Sequence, residues 1–211
     1  MDKKYTKIVT HYEDCLEKHG DTHLGVDWPN QQDVYKRYQV MLDIIKYDAN
    51  TQPATLLDFG CGTAHLLEYA QKEGYGNLTY SGLDISPRFV AVAQKKFPQN
   101  CFFCADVLED RAGIPNFDYI VMNGVFTEKR ELSFDEMWAY FTRLITIVYE
   151  KCDKGLAFNV MSKNVDWERD DLFHVSYDLL SDYLCKNLTR HHIIRNDYGL
   201  YEYTVYVLKK E

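Results

Sequence analysis

The chain has 211 residues, 46% of them hydrophobic, enough for one full α/β domain and cramped for two. Its formal net charge is −8, with acids and bases mixed along the chain. That leaves no basic stripe to track phosphates and argues against a nucleic-acid partner. The start, Met1-Asp2-Lys3-Lys4-Tyr5, lacks the apolar core of a secretory leader, and Leu144–Val148 is far too short to span a membrane. Six scattered cysteines suit reduced thiols, so a cytoplasmic protein without membrane association is expected.

In chain order, residues 3–18 predict a helix with Tyr5, Ile8, Tyr12 and Leu16 on one stripe, ended by His19-Gly20. An irregular segment, 21–29, leads to a second helix over 30–48 carrying Val34, Tyr38, Met41, Leu42 and Ile45. Strands are expected at 54–59, 78–83, 101–105, 117–122 and 156–161. Helices follow Gly62, Ser86-Pro87 (a hydroxyl cap before proline), Ser133 (capping-box spacing to Glu136) and Ser176. The stretch 106–116 is too short and too broken for a crossover helix. Residues 190–196 and 200–208 predict a closing hairpin turned at Asp197-Tyr198-Gly199, its aromatics packing in the core. The fold class is therefore α/β: a doubly wound, mostly parallel sheet with a C-terminal antiparallel hairpin and an N-terminal helical cap. One domain is expected over 1–211, with 1–52 as cap or lid and 53–211 as the ligand-binding α/β core.

In such a sheet, ligands bind beyond the carboxyl ends of the strands. There the sequence places Asp58-Phe59-Gly60-Cys61-Gly62, then Asp84 22 residues after Gly62, then Asp106-Val107 and Asn123–Phe126. Gly60 and Gly62 let backbone approach a ligand. Asp84 can accept both ribose hydroxyls, and Asp106 can meet an exocyclic amine such as adenine N6. Ile85 and Val107 supply apolar walls. A dinucleotide fingerprint wants a third glycine where His65 stands, and Asp58 would face a pyrophosphate unfavourably. A cationic sulfonium nucleoside suits Asp58 better than NAD, although a dehydrogenase of similar architecture remains the enzymatic alternative. A non-catalytic scaffold that has kept the fold is the other.

Four motifs in order, Asp58-Phe59-Gly60-Cys61-Gly62, Gly82-Leu83-Asp84-Ile85-Ser86, Ala105-Asp106-Val107 and Phe117-Asp118-Tyr119-Ile120-Val121, resemble those of class I S-adenosylmethionine-dependent methyltransferases. The resemblance covers residues 54–209 and implies a Rossmann-like fold and S-adenosyl-L-methionine as cofactor. It implies that Gly60 and its neighbours hold the methionine moiety, Asp84 the ribose, and Asp106 with Val107 the adenine, with Asn123 beside the methyl group. Ala64 departs from the family's third glycine. Gly25-Val26-Asp27-Trp28, Asn123-Gly124-Val125-Phe126 and Gly155–Asn159 are similar to a bacterial subgroup of small methyltransferases that tend to accompany surface-saccharide or small-metabolite pathways.

Methyl transfer from a sulfonium needs a base only if the acceptor holds a proton at neutral pH, and no secure dyad is visible. Candidate acceptor contacts are His11, Tyr12, His19, His23, Asp27 and Trp28 in the cap, Asn123, Phe126 and Glu128 after the fourth strand, and His174 and Tyr177 beyond the fifth. Of these, His11, His19, His23, Asn123 and His174 are the candidate catalytic groups. Arg37, with Tyr38, is expected to close over the cofactor and meet its carboxylate. No metal site is expected. Gly20 spoils a helical His19/His23 pair, Cys101 and Cys104 face opposite ways on a strand, and His191-His192 reads as structural. The expected function is methylation of a small-molecule acceptor at oxygen or nitrogen, a sugar or other metabolite.

Overall fold

The computed structural model describes residues 3–47, 53–111 and 113–209. The proposed lid–core boundary at 52/53 and the end of the second predicted helix fall in 48–52, outside the described residues.

Among the described residues eight strands, β1 (Ala54–Phe59), β2 (Leu78–Asp84), β3 (Cys101–Cys104), β4 (Phe117–Phe126), β5 (Cys152–Ser162), β6 (His174–Val175), β7 (His192–Arg195) and β8 (Glu202–Leu208), form one sheet. Its order is β3-β2-β1-β4-β5-β8-β7, with β6 paired to β5. All pairings are parallel except those of β8, which runs antiparallel to both β5 and β7. The doubly wound sheet with one reversed strand is the expected architecture.

Among the described residues six helices, α1 (Thr6–His19), α2 (Gln31–Leu42), α3 (His65–Lys72), α4 (Pro87–Lys96), α5 (Phe134–Glu150) and α6 (Tyr177–Asn187), cover both faces. Alternation along the central strands decides which face each residue feeds. Leu57, Ile120, Met122, Leu156 and Phe158 pack beneath α5, α6 and α1. Leu56, Tyr119, Val121, Ala157 and Tyr206 pack beneath α2, α3 and α4. Burial on both sides explains why these strands read as unbroken apolar runs.

Local signals set most ends. Ser86 caps α4 through the Arg88 and Phe89 N–H groups, with Pro87 at its first position. Ser133 and Glu136 exchange both capping-box bonds at α5. Ser176 caps α6. Gly20, at φ 64°, closes α1, its N–H donating to the Leu16 carbonyl.

Several expectations need correction. The second helix stops at Leu42 and gives way to a 3₁₀ segment, Asp43–Tyr47. The segment expected to be irregular contains a 3₁₀ turn, His23–Val26, capped by Thr22. β4 and β5 run longer than predicted; a register shift between Met122 and Phe126 lets β4 continue past Gly124, and β5 begins at Cys152, opposite Phe117 at the start of β4. The two-residue β6 was not foreseen, being too short to show a pattern.

Candidate active site

The carboxyl ends of β1, β2, β3 and β4 open into one cavity with an empty volume of about 1150 Å³, its mouth included. Its floor is the loop after β1, and its roof comes from α1, which contributes Ile8, Val9 and Tyr12, joined by Tyr5 just before it and by Val26 and Trp28. Asp58, Gly60, Cys61, Gly62, Asp84, Ile85, Asp106, Val107 and Asn123 all line it. The cluster of residues predicted from four separate motifs is therefore brought together.

Asp84 works first as a clasp. Its two oxygens accept the N–H groups of Gly62 and Ser86, each at 2.9 Å, tying the glycine loop to β2. Burial pushes its carboxyl up to about 6 against the pull of those two bonds. Asp58, 3% exposed, accepts the Tyr80 hydroxyl at 2.7 Å. Burial lifts it to about 7; the Tyr80 bond opposes the rise and the nearby Asp84 charge adds to it.

The N–H groups of Gly60 and Cys61 both go to the Leu83 carbonyl, at 2.7 and 2.9 Å. With the Gly62 N–H given to Asp84, all three of these N–H groups are already bonded within the chain, so Gly60 and Gly62 serve the cavity by shape. Both glycines lie at positive φ, and a Cβ on Gly60 would sit 2.7 Å from Val125 Cγ2. Ala64 takes the left-handed conformation where the family pattern has glycine. Cys61 is buried, and that burial drives its thiol well above the ordinary range, which leaves it inert.

At the other end, Asp106 accepts the Leu108 N–H on Oδ1 and the Tyr5 hydroxyl on Oδ2, at 3.1 and 2.6 Å. Tyr5 in turn stacks on Tyr140, centroids 5.1 Å apart. Glu13 of α1 accepts the Ser86 hydroxyl beside Asp84. His65 contacts Thr63 Oγ1 and Asp21 Oδ1, and Lys96 reaches Asp21, Glu68 and the Thr63 carbonyl. Where a dinucleotide loop wants glycine, this chain thus anchors its cap to α3. Tyr5, Glu13, Asp21 and Lys96 were missed by sequence reasoning. Only Tyr5 carried a signal, as the first residue of the α1 stripe.

Asn123 faces the cavity with its Oδ1 buried and unpartnered. The neighbouring Gly124, at φ 80°, donates its N–H to Asn159 Oδ1 at 2.8 Å and approaches the Trp28 ring. Asn159 Nδ2 donates to Glu202, which also takes a forked pair of bonds from Arg37. Arg37 therefore does not line the cavity. Its guanidinium is held by buried Glu202 and lies 4.1 Å from the Trp28 ring centroid, because a 1%-exposed carboxylate needs that charge. The expected contact with a cofactor carboxylate is replaced by a strut between α2 and β8, while Tyr38 does reach the cavity wall.

The histidines divide. His174 is buried, with Nδ1 on the Ser162 carbonyl and Nε2 accepting the Arg169 N–H; both nitrogens are committed, so it is no base. His23 Nδ1 bonds the Trp28 carbonyl and fixes the turn. His19 ends α1 away from the cavity lining. His11 pairs with Asp27 at 2.7 Å, just outside the cavity. Phe126 is wholly buried against Phe141 and Phe158, Tyr177 packs on Tyr203, and Glu128 pairs with Arg130. These three are structural neighbours, not cavity walls.

The sequence profile of a methyltransferase domain family matches residues 57–145. A provisionally named methyltransferase of Mycobacterium tuberculosis is 30% identical over 163 residues, 74% of this chain and 94% of that protein. The chain belongs to the class I S-adenosylmethionine-dependent methyltransferases. Two solved methyltransferases share the fold at low identity. Magnesium protoporphyrin IX methyltransferase from Synechocystis, with bound S-adenosylmethionine, aligns over 100% of this chain and 99% of its own at TM-score 0.67 and 16% identity. The plantazolicin methyltransferase aligns over 100% and 92% at TM-score 0.63 and 13% identity.

The methyltransferase cofactor is S-adenosylmethionine, and the cavity's chemistry fits it: buried acids along one wall, a glycine loop without Cβ atoms, and an orphaned carbonyl oxygen on Asn123 that calls for a donor. The dehydrogenase alternative gains nothing from these findings.

Proposed function

We propose that this methyltransferase acts on a small-molecule acceptor at oxygen or nitrogen, a sugar or another metabolite. In this reading residues 1–52 serve as a lid and 53–211 as the cofactor-binding core. The supporting observation is the cavity wall: Ile8, Val9 and Tyr12 of α1, with Val26 and Trp28, line the same cavity as Asp58, Asp84 and Asn123, which favours a compact acceptor over a polymer. Among the described residues no helix is long and apolar enough to cross a membrane. The two structural neighbours named above carry magnesium protoporphyrin IX and plantazolicin in their names, which supports an acceptor of limited size.

S-adenosylmethionine supplies a methyl group already activated on a sulfonium. The chain's own task is to hold the partners in line and keep water out. Asp84 is assigned to the ribose hydroxyls, Asp106 with Ile85 and Val107 to adenine, and Asp58 to the cationic end. Gly60, Cys61 and Gly62 give the floor its shape. Asn123 Oδ1, with no partner of its own, is placed to accept a hydrogen bond from the amino group of the methionine moiety or from the acceptor.

Calorimetry with S-adenosylmethionine, S-adenosylhomocysteine and NAD tests the cofactor assignments. An acceptor screen that follows S-adenosylhomocysteine release then tests the acceptor class. Turnover confined to small hydroxyl or amine compounds supports the proposal. Turnover on a protein or nucleic acid, or tight cofactor binding with no turnover on any acceptor, overturns it.

A further inference from the structure

We propose that His11, Cys15 and Asp27 form a binding site for one divalent metal ion of the zinc type. His11 and Cys15 are one helical turn apart on α1, so their side chains rise from the same face. Asp27 comes from the turn that follows, where it takes a left-handed conformation (φ 57°), and its carboxylate meets them. His11 Nε2 lies 2.7 Å from Asp27 Oδ2 and 3.8 Å from Cys15 Sγ, and all three donor atoms fall within 4.8 Å of one another.

A tetrahedral ion with bonds of ~2.0–2.3 Å sets its ligand atoms ~3.3–3.8 Å apart. The nitrogen–sulfur distance already meets this, and the nitrogen–oxygen pair need open by only about half an ångström. The donor set, one nitrogen, one thiolate and one carboxylate, suits zinc and not magnesium or calcium, which take oxygen alone. Asp27 also repels the buried Glu128 carboxylate, and a cation between α1 and the turn relieves that repulsion.

The side chains of His11 and Asp27 are 22% and 39% exposed, so the fourth position faces solvent and takes water or an outside oxygen or sulfur donor. Binding uses the neutral imidazole and displaces the thiol proton from Cys15 into solvent, so affinity rises with pH. The site adjoins the cavity wall through Tyr12, Val26 and Trp28, the chain neighbours of its ligands. It stands independently of the acceptor assignment.

Cobalt(II) is the probe. Titrating the metal-stripped full chain is expected to give one saturable equivalent, with thiolate-to-cobalt charge-transfer absorption and the visible bands of a tetrahedral ion, all displaced by zinc. Cys15→Ser abolishes the charge-transfer band, and Asp27→Asn weakens binding by about tenfold or more. The exposed Cys101 and Cys104 are the competing thiols, so the Cys101→Ser/Cys104→Ser variant must keep the band. Unchanged circular dichroism and S-adenosylhomocysteine affinity in Cys15→Ser show that the fold and cofactor site are intact. A wild-type chain without a saturable thiolate band overturns the proposal, as does a band that survives Cys15→Ser and vanishes with Cys101 and Cys104.

Discussion

Asp84 and Asp58 join a structural role to the binding role proposed for them, since both are bonded within the chain and line the cavity. Asp84 clasps the glycine loop, so Asp84→Ala removes a charge-assisted hydrogen-bond network as well as the assigned ribose contact. Cofactor affinity is expected to fall by about 1–3 kcal/mol, roughly fivefold to somewhat over a hundredfold, in a calorimetric titration. Unchanged affinity would place the ribose elsewhere. Both acids also predict a pH effect. Their folded values, about 6 for Asp84 and about 7 for Asp58, lie above the ordinary 3.8. The folded state therefore holds these protons more tightly than the unfolded chain. That stabilising contribution is complete below pH 4 and is lost as pH rises through 6 and 7. A cationic ligand favours the ionised acids, so S-adenosylmethionine binding at pH 6–7 should expel protons and tighten with pH. Calorimetry in buffers of different ionisation enthalpy reads this directly; a heat independent of buffer refutes it. The carboxylates were legible because strand ends and glycine spacing are local signals. The clasping role of Asp84 was not, since it depends on where the Gly62 and Ser86 N–H groups point after folding.

Among the elements, α2 and β8 behave differently from the reading that helix periodicity invites. Arg37 sits on a helix near the cofactor end, and a cation there suggests an anionic ligand. Glu202, 165 positions later, takes it instead. No local pattern links the two, because the pairing arises only when β8 inserts antiparallel between β5 and β7. The same insertion places Asn159 between Glu202 and Gly124, and so holds the β4 bulge that carries Asn123. Arg37→Met leaves a buried carboxylate without its counter-charge and should cost about 3–5 kcal/mol of stability in a urea melt. S-adenosylhomocysteine affinity of the folded protein should stay unchanged. An affinity loss beyond the loss of folded fraction would return Arg37 to the cofactor carboxylate. In contrast, the capped starts of α4, α5 and α6 were legible because capping is settled within four residues. Ser133→Ala is correspondingly expected to cost about 1 kcal/mol in the same melt without touching cofactor affinity.

At the scale of the molecule, the cap and the core are joined by two kinds of contact with different reach. Tyr5 on Asp106 and Ile8 in the core are short-range and largely dry. Around them runs a fringe of exposed ion pairs: Lys3 with Glu109, Lys4 with Glu136, and Lys7 with Glu131. Each is weak alone, and salt screens it. The fringe runs from the turn before α1 into its first turn, and that helix lines the cavity. If residues 1–52 act as the proposed lid, ligand exchange requires α1 to lift. Ionic strength should therefore act on exchange kinetics. Raising salt is expected to speed S-adenosylhomocysteine release in a stopped-flow displacement, because the lid opens against fewer effective charges. Replacing Lys4 and Lys7 together by alanine should speed release at low salt and flatten its salt dependence. Asp84 and Asp58 remain buried in that variant, so its ligand site keeps its own chemistry and the change isolates the lid. Release that is indifferent to both salt and the double substitution would mean that α1 stays down while the ligand leaves by another path. The gate would then lie at the Trp28 turn, where a bulky ring rests against Gly124.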